Sequence, residues 1–185
     1  MVSVSSFVCS FPSVAFSGSR VLGSSASVSC RAFLPVLAGF SGSVAVGCAS
    51  GVDSLVRSAF PSASVFSVSS FAVGGRVSRA SFALRSSALV QFCASSSGLL
   101  VAFPLGACPV GVAPSASFRG CGSGSWGSVA LGVGLGCSVL VVVPASVVGF
   151  PAPPALASRF RFVGVAPCGG SLWLSVSVPV QLSLF

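Results

Sequence analysis

The sequence predicts an α/β protein, a doubly wound and mostly parallel sheet of about five strands with helices on both faces. Three observations carry this. Apolar runs alternate along the chain with stretches of helical periodicity. The runs at 14–16, 44–46, 98–103 and 139–143 are apolar nearly throughout, as strands covered on both faces are. Small Gly/Ser turns follow the first two of these runs and precede the last helical stretch, and such sheets take their ligands at the carboxyl ends of strands.

The elements follow in order. Residues 1–13 alternate loosely (Val2, Val4, then Phe7 and Val8) and fit an N-terminal arm or edge strand. Val14-Ala15-Phe16 is a short strand closed by the turn Ser17-Gly18-Ser19-Arg20. Leu22, Ala26, Cys30, Phe33, Leu34 and Leu37 form a helical stripe that Pro35 kinks or ends. The second strand, 44–46, leads through Gly47, Cys48, Ala49, Ser50 and Gly51 to Asp53, placed as a helix N-cap, and Pro61 closes the short helix behind it. A third strand is expected over 64–68 and a mobile basic loop with Arg76 and Arg79 over 70–79. Ser81 then caps a helix to about Cys93, with Arg85 near its start. Residues 98–103 make a buried strand stopped by Pro104, and a long loop over 105–121 follows. Gly122-Ser123-Gly124-Ser125 opens the last helix, with Trp126, Val129, Ala130 and Val133 on one face, ahead of the strand at 139–143. The main domain is thus 14–150. Residues 151–178, Pro-rich and then basic at Arg159 and Arg161, read as an extension laid over it, and 179–185 as a separate docking peptide.

Composition limits the chemistry. Nine Arg face a single acidic side chain, Asp53, and there is no His, Lys or Tyr, for a net charge of +8. General acid–base catalysis draws on His, Glu, Asp, Lys or Tyr, so only Asp53 and the thiols remain, and a nucleophilic Ser or Cys has no imidazole base. Binding is therefore favoured over catalysis. The Cys at 9, 30, 48, 93, 108, 121, 137 and 168 form no CxxC pair, and with no His they make no zinc site. They read as small apolar fillers in a reducing, cytoplasmic compartment. No basic region precedes 2–16, which argues against a signal peptide. The uncharged run 120–158 is long enough to span a bilayer, but Gly127, Gly132, Gly134, Gly136, Gly149 and Pro144 break it, and a helix ending at Gly136 with a buried strand behind it explains the same residues. No membrane association is expected. The absent residue types share adenine-rich codons, so translation of a biased reading frame, spurious or membrane-associated, is a further reading of the same composition.

The segments FSGSR (16–20), VGCASGVD (46–53), ALRSSALV (83–90), GLLVAFP (98–104) and GSGSWGSVALGVGLG (122–136) resemble, in order and spacing, the SLOG superfamily of Rossmann-like proteins. They are nearest to its branch of DNA-processing protein A, the recombination mediator. Two departures are visible: the Asn that usually follows the helix-start Arg is Ser86 here, and Ser128 stands near the catalytic Glu of the phosphoribohydrolase branch. The resemblance implies a nucleotide- or single-stranded-DNA-binding protein of DNA processing. Its phosphate-binding set would be Ser17, Gly18, Ser19, Arg20, Gly47, Ser50, Gly51, Asp53, Arg85, Gly122, Ser123, Gly124 and Ser125. The residues agree by themselves, since Gly/Ser turns at helix N-termini offer N–H groups and a positive dipole end to an anion. No cofactor is specified beyond a nucleotide or nucleotide-derived ligand. An enzyme acting on such a small molecule with Asp53 in its site stays open, as does a homo-oligomer. Gln181-Leu182-Ser183-Leu184-Phe185 resembles the bacterial sliding-clamp-binding pentapeptide, with Gln181 for a pocket rim and Leu182, Leu184 and Phe185 as apolar contacts. A final strand, in which Val176, Val178 and Val180 alternate, reads the same tail differently.

Overall fold

A computed structural model describes residues 3–176. Its strands are β1 (Ser13–Gly18), β2 (Ser43–Gly47), β3 (Ser64–Phe66), β4 (Leu99–Phe103), β5 (Ser138–Val143), β6 (Phe160–Val165) and β7 (Ser171–Ser175). They form one seven-stranded sheet in the order β3-β2-β1-β4-β5-β7-β6. The first five are parallel, and β7 and β6 are antiparallel additions beyond β5. The helices are α1 (Val4–Val8), α2 (Ser25–Phe33), α3 (Val52–Ala59), α4 (Arg79–Ser95), α5 (Gly124–Gly134) and α6 (Pro154–Ala157). The doubly wound, Rossmann-like α/β sheet expected from the sequence is present, larger than expected by β6 and β7.

Strand periodicity explains the two layers. Val14, Phe16, Val44, Val46, Leu99, Val101 and Phe103 point to the face covered by α1, α2 and α3. Their neighbours Ala15, Ala45, Leu100, Ala102, Val139 and Val141 point to the face covered by α4, α5 and α6. Every residue of β4 is fully buried, which is why it reads as an unbroken apolar run. After β3 the chain returns across the sheet to lay β4 against the free side of β1. The connections above β1 and β4 therefore diverge, and a crevice opens there.

Several local expectations are corrected. Part of 1–13 is helix, capped by Ser3 and seated on the 3₁₀ turn Leu34–Leu37, rather than an arm or edge strand. The stripe from Leu22 becomes α2 only from Ser25, because Ser24 accepts a hydrogen bond from the Ser27 amide and so fixes the start; Pro35 then tightens the end into that 3₁₀ turn. The third strand stops at Phe66, and a 3₁₀ turn, Val68–Phe71, follows. The basic stretch 70–79 holds a tight turn in which Gly74 and Gly75 both take positive φ and Val73 pairs with Arg76. Ser78, not Ser81, caps α4; Ser81 is the reciprocal partner of the capping box. Only the first part of the extension after residue 150 lies over the core, where α6 buries Leu156; β7 instead joins the sheet beside β5 and buries Leu172 and Leu174 in the first layer. The uncharged run 120–158 is divided between α5, β5 and α6, and among the described residues no helix is long and apolar enough to cross a membrane. All eight cysteines are free thiols; Cys30, Cys93, Cys108 and Cys137 are buried fillers, whereas Cys9 and Cys121 are exposed.

Candidate functional site

The crevice above β1 and β4 holds a cavity of about 450 Å3. Ser17, Gly18, Ser19 and Arg20 form one wall at the end of β1. Leu105, Gly106 and Ala107, behind β4, form a second, and Gly122 to Trp126, at the start of α5, a third. Ala49 from the turn behind β2 and Asp53 from the first turn of α3, with Arg85 and Ser86 from α4, complete the lining. Ser123 caps α5, its hydroxyl accepting from the Trp126 amide and lying 3.3 Å from the Ser125 hydroxyl. The leading amides of an eleven-residue helix thus open beside the cavity with the positive end of its dipole. Trp126 is core, fully buried, and its indole N–H donates to the Gly106 carbonyl at 2.9 Å, tying the wall behind β4 to α5.

The single carboxylate has an unexpected role. Asp53 sits in the first turn of α3, but Gly51 occupies the N-cap and no side chain caps that helix. Asp53 turns back instead: its Oδ2 accepts the Ala49 amide at 3.1 Å and pairs with Arg85 Nη1 at 3.3 Å. Both side chains are nearly buried, at 5% and 7% exposure for Asp53 and Arg85. Since α3 and α4 cover opposite faces, this pair crosses over the carboxyl end of β2. Gly47 ends that strand, and a Cβ there would fall on Arg85 Nη1 and Asp53 Oδ2, so only glycine admits the crossing. Arg57 clasps the same turn, donating to the carbonyls of Gly47 at 2.7 Å and Ala49 at 3.0 Å. Burial pushes the Asp53 carboxyl above its ordinary range; Arg85, the Ala49 amide and Arg57 oppose that shift without cancelling it. Arg85 keeps spare donors, and its Nε is buried with no partner.

The predicted binding residues separate into two groups. Ser17, Gly18, Ser19, Arg20, Asp53, Arg85, Gly122, Ser123, Gly124 and Ser125 all line the cavity. Gly47, Ser50 and Gly51 lie outside that lining and pack against the neighbouring loop and the ion pair. The Ser50 hydroxyl donates to the Arg20 carbonyl at 2.6 Å, and the Val52 amide donates to the Ser19 carbonyl at 3.0 Å. Gly51, with φ +67°, lets the turn pass so close to Ser19 and Arg20 that a Cβ would strike their backbone. These residues hold the loop behind β1 in place. Arg20 lies over the Phe82 ring, 4.6 Å from its centroid. Sequence reasoning missed Leu105, Gly106 and Ala107; their place directly behind an apolar strand was the signal that could have found them. It noted Ser86 only as a departure from a family pattern, although the residue lines the cavity. Gln181, Leu182, Leu184 and Phe185 lie outside the described residues.

Chemically the cavity is a set of hydroxyl, amide and guanidinium donors around one carboxylate that Arg85 already matches. It is suited to receiving an anion. No imidazole exists to activate Ser17, Ser86 or Ser125 as nucleophiles. Among the described residues no group of His, Cys, Asp or Glu is placed to hold a metal ion.

No family model matches the chain, and no curated protein matches it. Among solved structures the chain is similar to DNA processing protein A from Helicobacter pylori, whose structure was described for its single-stranded DNA binding mode. The TM-score is 0.49 at 17% identity, over 73% of this chain and 67% of that one. The α/β assignment stands on the sheet order itself.

Proposed function

We propose that this protein binds a phosphate-bearing ligand, a nucleotide or a single-stranded nucleic-acid backbone, in the cavity above β1 and β4. The supporting observation is the convergence there of Ser17, Ser86 and Ser125, the first turn of α5, and Arg20 and Arg85 around a carboxylate that is already paired. The sequence resemblance described above gives the setting as cytoplasmic DNA processing or recombination. Binding to a single-stranded oligonucleotide should weaken as salt rises, and Arg20→Ala should flatten that dependence by about 0.7 in the log–log slope, the share of one phosphate contact on a single strand. Salt-independent binding, or an unchanged slope in the variant, overturns the reading. A chain without a cooperative unfolding transition would instead support the biased-frame origin of the composition.

Recruitment to a bacterial sliding clamp through Gln181 to Phe185 belongs to the same proposal and rests on the sequence of that pentapeptide. It is tested by clamp binding of the full chain against one ending at Val180. Loss of micromolar binding on truncation supports it, and equal binding by both chains removes it. A second reading is favoured by one observation: the carboxyl of Asp53 is raised and lies in the cavity wall. An enzyme acting on a nucleotide-derived small molecule would lose turnover in Asp53→Asn and keep it after tail truncation.

A further inference from the structure

One apolar surface is left unexplained by the cavity. Phe162, on the edge strand β6, is 55% exposed, and its ring meets Trp173 of β7 edge-on with centroids 5.7 Å apart. Together with Val147 and Val165 they line an open basin of about 300 Å3. The strand register places this pair in one row with the cavity. Phe162 lies opposite Trp173, Trp173 opposite Val141, Val141 opposite Ala102, and Ala102 opposite Ser17. Residues in one such row project to one face of a sheet. Aromatic contacts run the same way: Trp126, in the cavity wall, touches Phe150 at 5.7 Å, and Phe150 touches Trp173 at 5.1 Å. Four strand spacings separate Ser17 from Phe162, roughly 19 Å. Ala102 and Val141, the middle of that row, are fully buried, so the row fixes the separation of the two sites while a bound strand passes over the outer surface. The chain's only acidic side chain is Asp53, so no further side-chain carboxylate stands between the sites to repel a polyanion.

We infer that the Phe162–Trp173 basin is a stacking subsite for a base of a single-stranded oligonucleotide whose phosphate occupies the cavity. This rests on the anion-binding reading of the cavity and selects the polymer over the free nucleotide. A mononucleotide cannot cover the distance, whereas a strand of about four to six nucleotides can. Phe162 offers a sequence-tolerant π-face, and Trp173 holds it upright from the neighbouring strand.

The experiment is fluorescence anisotropy on the full chain with labelled oligothymidylates of about two and about eight nucleotides. The wild type should bind the longer strand about tenfold more tightly than the shorter. Phe162→Ala should remove that gain and leave binding of the short strand unchanged, while Phe162→Trp, which keeps a ring, should restore it. Thermal melts of both variants check that the fold is intact, as expected for a side chain more than half exposed. The longer strand should also quench the emission that disappears in Trp173→Phe. Equal binding of both lengths by wild type and Phe162→Ala overturns the subsite alone and leaves the cavity standing. So does a change of sedimentation in Phe162→Ala without a change in binding, which would make this face a contact between copies. Failure of the wild type to bind either length overturns the cavity reading and the subsite together.

Discussion

At the scale of residues, the pair Asp53–Arg85 governs the site. A buried ion pair owes much of its apparent value to the cost of leaving either partner alone. Arg85→Met, which leaves the buried carboxylate without its partner, should lower stability in urea at neutral pH by about 3–5 kcal/mol, whereas replacing Asp53 and Arg85 together with apolar residues of similar size should recover most of the loss. Additive losses in the double variant would show that the two do not act together. Gly47→Ala should resemble Arg85→Met, because its methyl would occupy the place where the pair meets. The direction of the Asp53 shift sets an unusual pH dependence. Its folded carboxyl is raised above the unfolded value, so the native state binds the extra proton, and stability falls as pH rises through the window between the two. Below that window this contribution is fully present, so acid does not remove it. Urea midpoints that drop as pH is lowered through the ordinary carboxylate range would contradict this.

At the scale of elements, Ser123 and the pair β6–β7 carry distinct predictions. Ser123→Ala should cost about 1 kcal/mol through loss of the α5 cap and weaken anion binding at the same helix end. A chain ending at Phe150 should fail to fold, because it would uncover β5 and the sites where Leu172 and Leu174 are buried; a soluble, cooperatively melting product would refute this. The same elements show how far the sequence could be read. Strands β1, β2, β4 and β5 were legible because parallel strands covered on both faces leave unbroken apolar runs. The ligand wall at Ser17–Arg20 and Gly122–Ser125 was legible because turn chemistry is local. Strand β6 was not, since only Phe160 is buried in it and the exposed Arg161, Phe162 and Val163 mimic a surface extension. Helix α1 is too short for a period to register. The pairing of Asp53 with Arg85 spans 32 residues, and nothing local in either helix announces it. Gly47, Ser50 and Gly51 looked like ligand residues because a turn that grips a loop and a turn that grips a phosphate use the same small side chains.

At the scale of the whole molecule, charge comes almost entirely from arginine, and guanidinium groups do not titrate in the working range of pH. The net charge should therefore stay nearly constant from acid to neutral conditions, and the alkaline limit should be set by thiols. Burial raises Cys30 to about 12 and Cys108 to about 11, above the ordinary value of 9.0. Both groups ionise first in the unfolded chain, so stability should decline as pH climbs from about 9 toward those values. Cys30→Ala should move the onset of alkaline unfolding upward, and an unmoved onset would assign the limit elsewhere. A molecule with one acidic side chain, sealed under Arg85 at the ligand's own doorstep, also carries its own chemical clock. A carbodiimide with a small amine finds no other side-chain carboxylate to couple, so the rate at which the Asp53 peptide gains the mass of the amine times the opening of the cavity over that residue.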